Sequence, residues 1–274
     1  MINLKLQVSN GYKLDFRQVS RLLSIVARIK EVDGSKLEAL SDSLGWARVQ
    51  VKNLASLTVA CGLIRRGSYA LEAFGELILH NDPFFDDIGT LWLCHYHLGS
   101  NPRWVVWNRL VNGLLPETKT VTFDTGKEYL SDLADYYSPR SLAIHIGKEV
   151  RTFLDAYTEQ ALSRLAYLTR EQEEYSLGQS SPPHRLIFLT QLLVYRDRFF
   201  PGNTAMEISR LLSAPNSPGK VCNISEAMVR NIVESLHQNG ELIIESRGDL
   251  DQVRFYEHVS ATDAFSMYYD LGRS

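Results

Sequence analysis

The sequence predicts a mainly α-helical protein in which two winged helix-turn-helix domains flank an all-helical central domain. The order helix, short helix, longer helix and β-hairpin occurs near both ends of the 274-residue chain, and this order is typical of winged helices. The segment between them is rich in apolar and aromatic residues and lacks that order. The predicted domains are residues 1–76, 77–175 and 184–260, followed by a C-terminal tail at 261–274.

The first predicted winged helix begins with an amphipathic helix over residues 15–30, where apolar side chains recur every three or four positions. Ser35 then opens a capping box for a short helix over 36–43. A third helix is expected over 47–61, and a hairpin over 63–71 forms the wing. In a winged helix the third helix leaves its outer face free for a DNA groove.

The central segment is predicted to contain only helices. An aromatic-rich helix is expected over 89–98, another begins at Ser138-Pro139, and a long one runs over 146–168. Residues 171–183 contain Gly, Ser and Pro, a composition typical of a linker.

The last third of the chain repeats the first pattern, with Thr204 and Ser225 as N-caps. Its predicted elements are helices over 185–200, 205–212 and 225–239, then hairpin strands over 241–245 and 252–256.

Charge is unevenly distributed along the chain, whose net charge is −3. Residues 1–80 carry +4, because 11 basic residues outnumber 7 acidic ones, whereas residues 81–182 carry −5 and residues 183–274 carry −2. No acid occurs among the 29 residues between Asp42 and Glu72. A local positive patch of this kind can attract DNA phosphates, since charges on the surface act over about 10 Å.

The candidate DNA-binding residues lie in that acid-free stretch. Arg48, Lys52 and Asn53 are expected on the outer face of the third helix, and Arg65 and Arg66 on the wing.

The second predicted winged helix offers fewer cations. Lys220, Arg230 and Arg247 are its candidates for a secondary contact with DNA or with a protein partner. Neighbouring acids make protein docking as good an interpretation there as DNA contact.

No motif for catalysis or for a cofactor is present. The sequence lacks a P-loop, a G-x-S-x-G elbow and an H-E-x-x-H motif, so we expect a non-enzymatic protein with no cofactor. His95 and His97 lie two positions apart on a predicted helix and therefore point in opposite directions, so no metal site is expected. The three cysteines have no metal-binding spacing. With no apolar run of membrane length and no signal peptide, a cytoplasmic protein without membrane contact is expected.

Four strings together are similar to those of a known family: residues 81–93 (NDPFFDDIGTLWL), 148–157 (KEVRTFLDAY), 217–221 (SPGKV) and Val51-Lys52-Asn53. The chain resembles the bacterial domain-of-unknown-function family numbered four thousand and seven, over about residues 15–260. The resemblance implies a gene located near DNA-phosphorothioation and other phage-defence genes. It therefore implies a partner protein in DNA modification or defence, and it supplies no catalytic residues.

These observations favour a DNA-binding and protein-docking component of a DNA-modification or phage-defence system, with double-stranded DNA and a modification or defence protein as partners. One alternative is a protein-interaction scaffold that never contacts DNA. Another is a transcriptional regulator, which would bind a palindromic site as a homodimer.

Overall fold

The protein is mostly helical and contains two small three-stranded sheets. The computed structural model describes residues 4–29, 36–247 and 250–272. The chain divides into two compact units, Met1–Ser180 and Ser181–Ser274. The predicted cap at Ser35, and residues 248–249 between the two predicted strands of the second hairpin, lie outside the described residues.

The first predicted helical trio is present, with bounds within a few residues of those expected. Asp15 caps the first helix by accepting from the Arg17 and Gln18 backbone N–H groups. The helices are α1 (Phe16–Arg28), α2 (Lys36–Leu44), α3 (Arg48–Ala60) and a fourth, α4 (Ala73–Asn81).

The expected wing between α3 and α4 is much smaller than a hairpin. One antiparallel bridge joins Ile64 to Leu71, and the Arg65 N–H donates to the Ala70 carbonyl at 2.7 Å. Residues 63–71 form no strand. Gly67 and Tyr69, with φ angles of 88° and 48°, turn the chain between the two bridge partners.

The prediction of an all-helical centre is wrong, because a three-stranded antiparallel sheet closes the first unit. Tyr175 pairs with Val121 on one side and with Arg170 on the other, and its side chain is fully buried. The elements from Ile88 onward are α5 (Ile88–Ser100), α6 (Val105–Arg109), a π-helical turn (Leu110–Leu114), α7 (Leu115–Glu117), β1 (Val121–Thr122), α8 (Phe123–Tyr129), α9 (Pro139–Thr158), β2 (Leu168–Glu171) and β3 (Glu174–Leu177), with 3₁₀ turns at Ser131–Asp135 and Ala161–Leu165. The strand order is β1-β3-β2.

Two sequence interpretations fail at this sheet. The predicted long helix over 146–168 begins earlier and ends at Thr158. The predicted linker over 171–183 contains β3, and Gln172, with a φ of 56°, forms the turn before it. Burying the aromatic side chain of Tyr175 is more favourable in free energy than leaving it exposed in a solvated linker, so this segment forms a strand.

The second unit contains the three predicted helices and the predicted hairpin, with one added strand and two added helices. Residues 205–207 form a strand instead of the first turn of a helix, and this strand pairs with the hairpin in the order β4-β6-β5. The elements are α10 (Arg185–Phe199), β4 (Ala205–Glu207), α11 (Ile208–Ser213), α12 (Pro218–Val221), α13 (Glu226–Gln238), β5 (Ile243–Arg247), β6 (Leu250–Arg254) and α14 (Ala261–Leu271).

The predicted C-terminal tail is instead the helix α14, which packs on α10. Ser260 and Asp263 form its capping box, and Phe265 is fully buried on its inner face. The capping pair and the buried aromatic were readable from the sequence.

A buried carboxylate attaches the N-terminal segment to α9. Glu149 is fully buried, and its Oε1 accepts from the Ser9 N–H at 2.9 Å, the Ser9 hydroxyl at 2.9 Å and the Asn10 N–H at 2.7 Å. Its Oε2 faces Trp107 Nε1 at 3.4 Å. Burial raises the pKa of Glu149, and these hydrogen bonds oppose that rise.

Replacing Glu149 tests this attachment. We expect E149A to lower the free energy of unfolding by about 2–4 kcal/mol, because it leaves several buried donors without an acceptor. E149Q keeps an acceptor and should cost less. Because the folded state holds the proton of Glu149 more tightly than the unfolded chain, wild type should lose stability relative to E149Q as the pH rises above about 4. Urea unfolding at several pH values measures both effects; an E149A midpoint equal to that of wild type would contradict the assignment.

Candidate nucleic-acid interface

On the outer face of α3, exposure of the side chains decreases from the N-terminal half to the C-terminal half. Arg48, Val49 and Lys52 are exposed in the N-terminal half, whereas Asn53 and Ser56 are half-buried. Val51, Leu54, Ala55 and Leu57 are buried on the opposite side. Residues spaced by three and four positions share one side of a helix, so Arg48, Val49, Lys52, Asn53 and Ser56 form a single stripe.

Two of the predicted DNA-binding arginines have acidic partners. Arg48 Nη1 lies 3.1 Å from Glu38 Oε1, and Arg65 Nε lies 3.1 Å from Glu72 Oε1. Their side chains remain 59% and 64% exposed. Pairs this exposed contribute little stability and can exchange for a phosphate, but they reduce the positive potential at both ends of the predicted interface.

The other three predicted residues converge on one cleft. Lys52, Asn53 and Arg66 line it together with Lys5 of the N-terminal segment, and its volume is about 530 Å³. Among the described residues that line this cleft, none is acidic.

The far wall of the cleft comes from outside the predicted winged helix. Tyr137, Ser141 and His145, at the start of α9 and just before it, form this wall. The N-terminal segment also lines the cleft. It is held in place because Lys5 N–H donates to the Arg103 carbonyl at 2.7 Å and the Lys5 carbonyl accepts from the Val105 N–H. The cleft therefore lies within the first compact unit.

Four cations are gathered at the cleft. Burial lowers the pKa of Lys5, and the nearby charges of Arg66, Arg103 and Lys52 lower it further. Burial and Arg66 likewise lower the pKa of Arg103. Lys5, Lys52, Arg66 and Arg103 are called the cation cluster below. Like charges held this close repel one another, so the cluster is electrostatically unfavourable until an anion joins it.

Several buried donors at the cluster have no hydrogen-bond partner. They are Nε and Nη2 of Arg103, Nε1 of Trp104 and the hydroxyl of Tyr137. Trp104 and Tyr137 line the cleft. Buried polar groups are normally paired, and each exception needs an explanation.

Lys5 and Arg103 were not among the residues predicted from the sequence. Each lies in a separate segment, and the parallel bridge between Lys5 and Trp104 brings them together. A single parallel bridge between distant segments leaves no periodic pattern, so nothing in the sequence could have indicated their proximity.

The candidate residues of the second unit do not form a comparable group. Arg230 is held by Glu226 and Asp251, both at 3.0 Å, and these two partners raise its pKa. Arg247 is exposed at the end of β5, and Lys220 is half-buried in α12.

Several other side chains that could serve in catalysis or metal binding are buried or hydrogen-bonded within the fold. His95 Nδ1 lies 2.6 Å from the Tyr157 hydroxyl, and all three cysteines are buried. Asp82 accepts from the backbone of Asp86 and Asp87, which shapes the loop before α5. Over residues 4–29, 36–247 and 250–272, no group of three or more His, Cys, Asp or Glu side chains could hold a metal ion.

Comparison with known families identifies the chain's relatives. The sequence profile of the family described as Protein of unknown function (DUF4007) matches residues 41–269. The chain belongs to this family. The match includes the NDPFFDDIGTLWL, KEVRTFLDAY and SPGKV strings, and it confirms the resemblance inferred from them. No curated protein matches this DUF4007 chain.

Two solved structures share the fold. A magnesium-ion-bound SspB crystal structure aligns with a TM-score of 0.75 and 18% identity, over 97% of this chain and 88% of that one. A second SspB crystal structure aligns with a TM-score of 0.72 and 16% identity, over 97% and 86%. At these identities the likeness concerns the fold alone. In the part of the chain that the structure describes, no helix is long and apolar enough to span a bilayer.

Proposed function

We propose that this DUF4007 protein is a DNA-binding and protein-docking component of a bacterial DNA-modification or phage-defence system. The cation cluster is the observation that carries the proposal. Lys5, Lys52 and Arg66 line a cleft whose described lining contains no carboxylate, and Arg103 adds its charge beside Lys5 and Arg66. Cations of this kind suit the DNA backbone, whose phosphates and sugars receive about half or more of the hydrogen bonds in protein–DNA contacts.

The winged-helix interpretation assigns roles to the elements of the first unit. Helices α1, α2 and α3 form the helical trio, α3 is the recognition helix, and the turn around the Ile64–Leu71 bridge is a reduced wing. Lys52 and Asn53 on α3 and Arg66 on the wing then reach the DNA from adjacent positions, while Arg48 and Arg65 give secondary phosphate contacts.

Four cations give weak and salt-sensitive binding, at micromolar affinity or poorer. The protein therefore acts on DNA with a second copy or a partner. The second unit suits docking to a protein, because Arg230 is already neutralised by Glu226 and Asp251. The family's association with phosphorothioation and phage-defence genes, and the shared SspB fold, favour a modification or defence protein as the partner. A role on bacterial DNA implies that the protein works in the cytoplasm.

A scaffold without DNA contact is the second candidate. The ion pairs Arg48–Glu38 and Arg65–Glu72 favour it, since two of the five predicted DNA-binding side chains are already paired with a carboxylate.

Neutralising single arginines separates these candidates. With all four cations engaged, the binding constant for a duplex should fall with salt at a log–log slope of about −3.6, and R66Q should reduce that slope by about 1. R66Q should also weaken binding about fivefold, since one such contact is worth about 1 kcal/mol. Fluorescence anisotropy with a labelled duplex, starting at about 50 mM salt, measures both.

Two variants serve as controls for R66Q. Lys119→Gln removes an exposed cation outside the cleft lining and should bind as wild type does. R65Q, whose arginine is paired with Glu72, should have a smaller effect than R66Q. Absence of DNA binding by the wild-type protein, to duplex and single strand alike, with retained capture of a partner, would favour the scaffold.

The protein is proposed to be non-enzymatic, and the magnesium ion bound in one of the two SspB crystal structures suggests the condition under which to test this. Among the described residues, the carboxylates do not form a group of three or more that could bind a metal ion. We expect supercoiled plasmid to stay intact after incubation with the protein and Mg²⁺. Nicking that depends on Mg²⁺, and that persists through a further purification step, would contradict the non-enzymatic assignment.

A further inference from the structure

The cleft has the dimensions and chemistry of a site for a single nucleotide. We infer that it takes an unpaired nucleotide of single-stranded DNA, in preference to the groove of an intact duplex. This inference rests on the proposed function and names the form of DNA that the same site receives.

The walls around α3 argue against deep insertion of this helix into a duplex groove. A recognition helix must project so that its side chains reach base edges in a groove about 12 Å wide. Here Asn53 and Ser56 lie inside a cleft bounded by the N-terminal segment on one side and by Tyr137 and His145 on the other. A base can meet Asn53 only inside that cleft, which requires it to leave the stack.

The volume fits one nucleotide. Sites for small molecules usually measure about 300–1,000 Å³, and this cleft measures about 530 Å³. It is too small for a base pair with both of its backbones, but it has room for one base and its sugar.

The lining offers both parts of a single-strand site. Proteins that hold single strands combine cations for the backbone with aromatic side chains on which bases stack. The cation cluster supplies the first part, and the half-buried Tyr69, Tyr137 and His145 supply aromatic rings in the same lining. Asn10 and Asn53 add amides that can both donate to and accept from a base edge.

The unpartnered buried groups indicate a ligand rich in acceptors. Arg103 Nε, Arg103 Nη2 and Trp104 Nε1 can only donate, and the Tyr137 hydroxyl can donate as well. Phosphate oxygens, base carbonyls and ring nitrogens all accept. A nucleotide in the cleft therefore offers acceptors beside Trp104 and Tyr137, which line it and carry two of these unpaired groups.

The test compares one oligonucleotide as a single strand and as a blunt duplex, using anisotropy with the full chain at fixed low salt. We expect the single strand to bind at least tenfold more tightly than the duplex. Ser56→Phe, which fills the cleft without changing charge, should remove at least tenfold of the single-strand affinity.

Tyr137→Phe keeps the test decisive if the bulky variant fails to fold. It removes only a hydroxyl that has no partner in the free protein, so its urea midpoint should equal or exceed that of wild type. Its affinity for the single strand should nevertheless fall about three- to tenfold, which is the range of one neutral hydrogen bond. A purely structural role for Tyr137 would change stability and leave affinity unchanged.

The outcomes separate the two levels of the proposal. Equal or tighter binding of the duplex, unaffected by Tyr137→Phe, would overturn the single-nucleotide inference and leave the DNA-binding proposal in place. Binding of neither form at low salt, with protein up to about 100 µM to cover weak affinities, would overturn both.

Discussion

The carboxylate of Glu149 fixes the N-terminal segment against α9, and the geometry of the cleft depends on that attachment. Three donors from Ser9 and Asn10 converge on one buried oxygen. Residues just before them then pair with the chain around Trp104, which sets Lys5 beside Arg103. These hydrogen bonds offset part of the cost of burying a carboxylate. An element far from α3 in sequence thereby completes the candidate interface on α3.

The cation cluster is the second constraint, because it keeps like charges together without an acidic neighbour in the described lining of the cleft. Arg48, Arg65 and Arg230, three surface arginines outside the cluster, have their charge balanced by acidic neighbours. Such pairs stabilise a fold only slightly. A cluster that lacks them adds repulsion to the folded state, and binding of an anion relieves that repulsion.

The sequence predicted the helices well and the cleft only in part. Periodic apolar residues indicated α1, α3, α10 and α13, because a helix that covers a core must repeat its apolar face. The strand pair around Gln172 was missed, since its charged residues are typical of a solvated linker and only tertiary burial of Tyr175 makes it a strand. Lys52 and Arg66 were found from local charge and Asn53 from its position on the outer face of the third helix, whereas Lys5 and Arg103 depend on pairing between distant segments.

The pKa of Lys5 is the most direct measure of the central claim that uncompensated cations await a phosphate. Burial and the neighbouring cations hold this pKa below its ordinary value of 10.5 in the free protein. Titration of the assigned Lys5 ammonium by NMR should show that lowered value, and bound oligonucleotide should raise it, because a phosphate favours the charged form. An ordinary pKa in the free protein, unchanged when DNA is added, would contradict the account.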